Sequence, residues 1–219
     1  MLGLIPDNGS RSLRVLCVGA HCDDVEIGCG GTLLTLQRRK QPVEIHWAIL
    51  SGTQERRRET ARGMALLVKP GNRGEIIFGD FRDGRLPAQY QEVKSFFENL
   101  KRLPNPDLIL CHEREDRHQD HRMVNEMIWN TFRNHLVLEY EVPKWDGGLG
   151  TPNVFIPISR AHAERKVKAL MTAYATQARR DWFTPDTFLG LLRLRGIECR
   201  SASGYAEAFH GRKLQIADF

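Results

Sequence analysis

The chain is expected to fold as an α/β three-layer sandwich around a mostly parallel sheet, and three features of its sequence carry that expectation. Short β-prone runs alternate with helix-like stretches at roughly 30-residue spacing, the rhythm of βαβ units. The first run, LRVLCVG, is apolar almost throughout, as a strand buried on both faces is. The polar residues with metal-ligand chemistry gather just after strands, where parallel sheets bind their ligands.

Taken in order, the first strand is expected over 13–19 and a helix over 30–39, with small residues at its start. A second strand is expected over 43–50. The helix over 54–68 places Ala61, Met64, Ala65 and Val68 on one face and stops before Pro70-Gly71. A third strand covers 76–78, and a helix over 88–103 ends at the Pro104/Pro106 pair. The fourth strand, DLILC, covers 107–111, and a helix over 123–132 opens near Asp120. Strands follow near 137–142 and 154–157, and a helix runs over 160–177 with Val167, Leu170, Met171 and Tyr174 on one face. The Pro- and Gly-rich stretch 139–153 is expected as a surface loop beside a site. The order is Rossmann-like. No internal repeat or linker divides the chain, so one domain over 1–219 is expected, with 1–12 as a flexible arm.

Composition sets outer limits. The chain has 219 residues, 41% hydrophobic and 27% charged, with 19 Gly and 10 Pro. This is average globular usage, which excludes a collagen-like, low-complexity or wholly disordered chain. No apolar run approaches the ~20 residues of a membrane span, and the first residues lack a signal-peptide pattern. The five cysteines form no CxxC pair, which fits a reduced, cytoplasmic setting. The net charge is +5 and 24 of the 32 basic residues are Arg. They are scattered among acidic residues, and neither zinc-finger spacing nor an RNP-like segment accompanies them, so a nucleic-acid partner is not expected. A homo-oligomer is compatible with the sequence.

Two segments concentrate chemistry. Gly19-Ala20-His21-Cys22-Asp23-Asp24-Val25-Glu26 follows the first strand, and Asp116-Arg117-His118-Gln119-Asp120-His121 follows the fourth. The two would open on the same edge of the sheet, offering imidazole nitrogens and carboxylate oxygens suited to Zn²⁺ or a similar divalent metal. Blander readings stay open at this point. Asp23-Asp24 could cap a helix, and His118 and His121 could form its solvated face. Gly28-x-Gly30-Gly31 fails the spacing of a dinucleotide-binding loop.

The segment AHCDDVEIGCGGTLL resembles the A-H-P-D-D-x-E-x-G-C-G-G-T-L signature of the PIG-L/LmbE family of zinc-dependent N-deacetylases. DRHQDHR is similar to that family's second motif. Weaker likenesses extend the resemblance over roughly residues 13–211. It implies that His21, Asp24 and His121 bind zinc, that Asp23 is the general base, and that a protonated His118 stabilises the oxyanion. Asp120 would orient an imidazole or cap a helix, and Arg56 and Asp83 would touch substrate hydroxyls or phosphate. The implied substrate is an N-acetylated amino sugar, free or conjugated. Cys22 departs from the pattern, standing where the family has Pro; the alternation of side chains on an extended loop turns its sulfur away from the metal. Two other functions remain open: a two-metal phosphoesterase using the same donors, and a non-catalytic sugar-binding protein, against which the base at Asp23 speaks.

Overall fold

The computed structural model describes residues 11–147 and 149–215. Seven strands form one sheet: β1 (Leu13–Gly19), β2 (Val43–Ser51), β3 (Arg73–Phe81), β4 (Leu108–His112), β5 (Leu136–Tyr140), β6 (Val154–Pro157) and β7 (Ala206–Gly211). Six helices accompany them: α1 (Asp24–Leu36), α2 (Gln54–Leu67), α3 (Tyr90–Leu100), α4 (Gln119–Thr131), α5 (Arg160–Ala173) and α6 (Pro185–Glu198). The strand order is β3-β2-β1-β4-β5-β7-β6. The first five are parallel, and β7 runs antiparallel between β5 and β6. The chain leaves β1 toward β2 and β3 on one side, then returns to start β4 on the other. The gap between the carboxyl ends of β1 and β4 is therefore the topological switch point, where an open α/β sheet forms its crevice.

Alternate residues of β1 feed two cores. Val15 and Cys17 pack with Val25, Cys29 and Leu33 of α1 and with Leu67 and Leu170 of α2 and α5. Leu16 and Val18 face Val93 and Phe97 of α3 and Val124, Met127 and Ile128 of α4. These are the two outer layers of the sandwich. No helix among the described residues is long and apolar enough to cross a membrane.

The largest departure from the sequence reading is α1, which starts six residues before the expected 30–39 and carries Gly28, Gly30 and Gly31 in its body. Glycine disfavours helix, which is why the pattern placed the start later. Packing overrides propensity. A Cβ on Gly28 would lie 2.2 Å from the Tyr140 ring, and one on Gly31 would lie 2.8 Å from Ile158 and 3.0 Å from Glu207. The Ile27 carbonyl and the Gly31 N–H would bond each other in a regular helix, and each also bonds one member of a buried ion pair. Lys166 Nζ donates to Ile27 O at 2.5 Å and to Glu207 Oε1 at 2.6 Å, while Gly31 N and Thr32 N donate to the Glu207 carboxylate at 2.8 and 2.6 Å.

Other differences are smaller. β3 extends to Arg73–Phe81, and 175–177 is a 3-10 turn rather than the end of α5. Glu139 and Tyr140 belong to β5, so the loop expected over 139–153 begins at Glu141. Two elements had no counterpart in the sequence reading, α6 and β7. The expected arm lies outside the described residues except for Arg11 and Ser12, and Arg11 Nη1 donates to Asp107 Oδ2 at 2.9 Å.

Two alanine substitutions separate packing from propensity. Tyr140 is fully buried and its hydroxyl donates to Val18 O at 2.7 Å, so its ring cannot retreat from a new methyl group. Gly28→Ala is expected to destabilise by roughly 1–3 kcal/mol. A Cβ at Gly190 in α6 meets nothing within 4 Å, and Gly190→Ala is expected to stabilise by about 0.5–1 kcal/mol. Denaturant midpoints of the two variants, shifted in opposite directions, check both statements.

Candidate metal centre

Four loops at the carboxyl edge of the sheet build the site. The β1–α1 turn brings His21, Asp23 and Asp24. The β4–α4 turn brings Asp116 and His118, with Asp120 and His121 on the first turn of α4. The β3–α3 turn brings Asp83, and the start of α2 brings Arg56. Thr53 caps α2 by accepting from Arg56 N at 3.3 Å, which sets the arginine on the wall of the cleft.

His21 Nδ1 lies 3.2 Å from His121 Nε2 and 3.4 Å from Asp24 Oδ2, and His121 Nε2 lies 3.6 Å from Asp24 Oδ1. Donors 2.0–2.2 Å from a tetrahedral metal stand roughly 3.3–3.6 Å from one another. The imidazole–imidazole–carboxylate set therefore fits zinc in both chemistry and spacing. One nitrogen each from His21, His118 and His121 forms an overlapping group within 4.8 Å, and Asp24, His112 and His121 form another.

Burial and close charges act on each titratable group of the cluster. Burial and the neighbouring His112 push His121 down to about 3, leaving a bare imidazole donor. Burial opposes charge on Asp24, yet the surrounding His121, His112 and His21 hold it well below the usual carboxylate range. His21 is held well above the ordinary imidazole value: burial works against this, and Asp24, Asp120 and Asp83 outweigh it. A proton held on His21 Nδ1 would have to leave for that nitrogen to act as a metal donor.

Each sequence-predicted residue has a definite place. Asp23 occupies the N-cap position of α1 but makes no capping bond. It accepts from Arg56 Nη2 at 2.8 Å instead, and burial, partly offset by Arg56, raises its pKa to about 6. Arg56, expected at the substrate, is thus spent at least in part on Asp23. Asp24 is likewise no cap: its Oδ2 accepts from His21 N at 2.7 Å. Asp83, 63% exposed, and the buried Asp120 stand 3.1 and 3.3 Å from His21 Nε2. The Asp120 oxygens also accept from Gly84 N and Leu86 N at 2.7 and 3.1 Å, tying the β3–α3 turn to the site.

His118 has a further place that was not expected, as the cap of α4. Burial and the charge of His21 lower its pKa, which disfavours the expected cation. Its Nδ1 accepts from Asp120 N at 3.2 Å as the cap of α4. The proton of the neutral ring is thereby assigned to Nε2, which presents an N–H without a net charge. Cys22 Sγ points to Ser51 O at 3.4 Å, fully buried, and burial raises the thiol to about 11.

Sequence reasoning assigned no role to three residues of this neighbourhood. His112 at the end of β4 stacks on His121 with ring centroids 3.8 Å apart, and its Nε2 accepts from Ala20 N at 3.0 Å. Asp116 contacts His121, and Lys144 reaches Asp116 from the loop after β5. Asp116 stood inside the quoted motif; the only sign of His112 was its position at a strand end. Lys144 had no sequence signal, because its contact spans 28 residues. A cavity of about 500 Å³ adjoins the cluster, lined by residues including Glu113, Asp116, Glu141, Lys144 and Leu149.

Known proteins resemble this chain in sequence or in fold. An Escherichia coli K12 protein named as the uncharacterized deacetylase YaiS is 28% identical over 178 residues, 74% of this chain and 91% of that protein. The N,N'-diacetylchitobiose deacetylase of Pyrococcus horikoshii superposes with a TM-score of 0.69 at 21% identity, covering 90% of this chain and 82% of that one. GalB of Pseudomonas putida KT2440, a 4-carboxy-2-hydroxymuconate hydratase, superposes at 0.74 with 16% identity, covering 94% and 99%. At such identities the two superpositions establish the fold alone, and one fold hosts different reactions. The family model described as PIG-L, GlcNAc-PI de-N-acetylase, matches residues 16–132; that span holds both halves of the cluster and more than half of the chain, which belongs to the PIG-L family.

Proposed function

We propose that this chain is a zinc-dependent deacetylase that hydrolyses the acetamido group of an N-acetylated amino sugar or its conjugate. The observation that carries the reading is the set His21, His121 and Asp24, spaced at 3.2–3.6 Å, with the carboxylate of Asp23, held at Oδ1 by Arg56, beside it. His21 Nδ1, His121 Nε2 and the Asp24 carboxylate would hold the metal, leaving a coordination position open. A zinc ion held there supplies a Lewis acid that polarises the amide carbonyl and makes water easier to deprotonate.

The chain's own groups do the rest. Asp23, with Oδ1 fixed by Arg56, takes a proton from the attacking water and returns it to the departing amine nitrogen. His118 donates its Nε2–H to the carbonyl oxygen as that oxygen gains charge; this is a hydrogen bond that strengthens toward the transition state. Asp120 and Asp83 accept from His21 Nε2 and keep its ring turned so that Nδ1 faces the site. His21, Asp83 and Asp120 also bring donor atoms within 4.8 Å of one another, and metal analysis distinguishes one ion from two.

Three outcomes follow. Metal analysis is expected to find about one zinc per chain, lost in His21→Ala, Asp24→Ala and His121→Ala. A second ion at full occupancy would favour the phosphoesterase reading. Asp23→Asn is expected to keep its zinc and lose about 10²–10⁴ in kcat, measured as acetate release from a panel of N-acetylated sugars; if no member of the panel releases acetate from wild type, the substrate assignment fails. Cys22→Ser is expected to keep zinc and change kcat by less than roughly tenfold, or 1.4 kcal/mol, because the sulfur faces Ser51.

A further inference from the structure

Asp116 gathers contacts that the reaction scheme above leaves unused. It is 9% exposed. Its Oδ2 stands 2.9 Å from His121 Nδ1 and accepts from Lys144 Nζ at 2.8 Å, while its Oδ1 accepts from His118 N at 2.7 Å. Its backbone carbonyl accepts from Arg122 Nη1 at 2.9 Å. One carboxylate thus holds a ring of the metal cluster by the nitrogen that faces away from it. With its other oxygen it holds the backbone of the residue that caps α4. Lys144 comes from the loop after β5, where it also bonds Val142 O at 3.1 Å and pairs with Asp146 at 3.1 Å. Lys144 and Asp116 both line the adjoining cavity.

Geometry gives these contacts a direction. An imidazole that uses one nitrogen as a metal donor must carry its proton on the other, and that proton needs an acceptor to fix tautomer and ring angle. For His121 the acceptor is Asp116, five residues back on the same turn. Among the described residues the carboxylate paired with this nitrogen is Asp116, while Asp24 faces Nε2 and Asp120 is turned to His21 and the β3–α3 turn. The His118 backbone bond means that displacing Asp116 would also loosen the start of α4, which carries His121 into the cleft.

We propose that Asp116 is a positioning residue of the metal centre: it fixes the His121 ring through Nδ1 and the first turn of α4 through His118 N, and Lys144 anchors it to the wall of the neighbouring cavity. This rests on the reading that His121 Nε2 is a metal donor. Zinc affinity is measured by chelator competition, and the visible spectrum of the cobalt-substituted protein reports donor geometry. Asp116→Asn preserves shape and removes the charge. It is expected to weaken zinc by about 10–100-fold and to alter the cobalt bands. Asp116→Glu, which restores a carboxylate, is expected to recover most of the affinity. Circular dichroism and the thermal midpoint of the metal-free proteins check that all variants are folded; should Asp116→Asn not fold, Asp116→Ser takes its place in the comparison. Zinc affinity within threefold of wild type in the folded variant, with unchanged cobalt bands, would overturn the proposal. His121→Ala serves as the separate control: if it keeps full zinc affinity, the metal assignment itself is wrong, whatever Asp116 does.

Discussion

The buried pair Lys166–Glu207 is the constraint on which the rest of this molecule leans. Both residues are nearly inaccessible, and both insert at the middle of α1, where they bond Ile27 O, Gly31 N and Thr32 N. Lys166 comes from α5 and Glu207 from β7, so one ion pair ties the last third of the chain to the helix that begins at the His/Asp cluster. Removing one partner of such a pair leaves an uncompensated buried charge and costs about 3–5 kcal/mol. The glycines of α1 are the geometric condition for it. Gly30 and Gly31 let the Lys166 stem and the Glu207 carboxylate approach the helix, and Gly28 admits the Tyr140 ring. These glycines, whose spacing fails that of a dinucleotide-binding loop, form a docking surface for the protein's own side chains.

With α1 held, the site follows from topology. The sheet changes direction between β1 and β4, so the turns after these strands face each other across the crevice. His21 and His121, a hundred residues apart, meet there at 3.2 Å. The surrounding carboxylates divide the work. Asp24 is shared by the cluster, Asp120 and Asp83 serve His21, Asp116 serves His121, and Asp23 is paired with Arg56. Burying so many ionisable groups is unfavourable unless each is paired or coordinated. Nearly every one of them has a partner within hydrogen-bonding reach. The same scaffold in GalB belongs to a hydratase, so the chemistry resides in this constellation rather than in the sheet.

The extent to which the site was legible differs between its parts. The two motifs after the first and fourth strands were visible because their residues are contiguous: a βαβ rhythm puts such turns on one edge whatever the strand order. The roles of their neighbours were less legible. Arg56 read as a substrate contact, and it is bound to Asp23 at 2.8 Å. His118 read as a cation, and its place as the cap of α4, with Nδ1 accepting from Asp120 N, was not read. Each depends on a contact whose partner lies in another segment or on the exact start of a helix, and spacing along the chain specifies neither.

For the fold, the apolar runs were sufficient where burial itself dictates structure. β1 and β6 have the expected limits, and the helices on both faces appear close to their expected positions. Hydrophobic periodicity determines such elements because each must hide one face or both. Tertiary contacts alone decided three features. Helix α1 starts at Asp24 despite its glycines, because Tyr140, Lys166 and Glu207 need the space that side chains would fill. β7 forms because Glu207 must reach α1 and because β5 and β6 offer edges on either side. Helix α6 packs on α5 through Leu192, with Arg195 bonded to Glu141, and its own pattern has little amphipathic signal because exposed Leu194 and Ile197 interrupt the polar face. Local sequence encodes which residues want to be buried. Which glycine, charge or strand edge they are buried against is a long-range fact, set when the last third of the chain closes over the first.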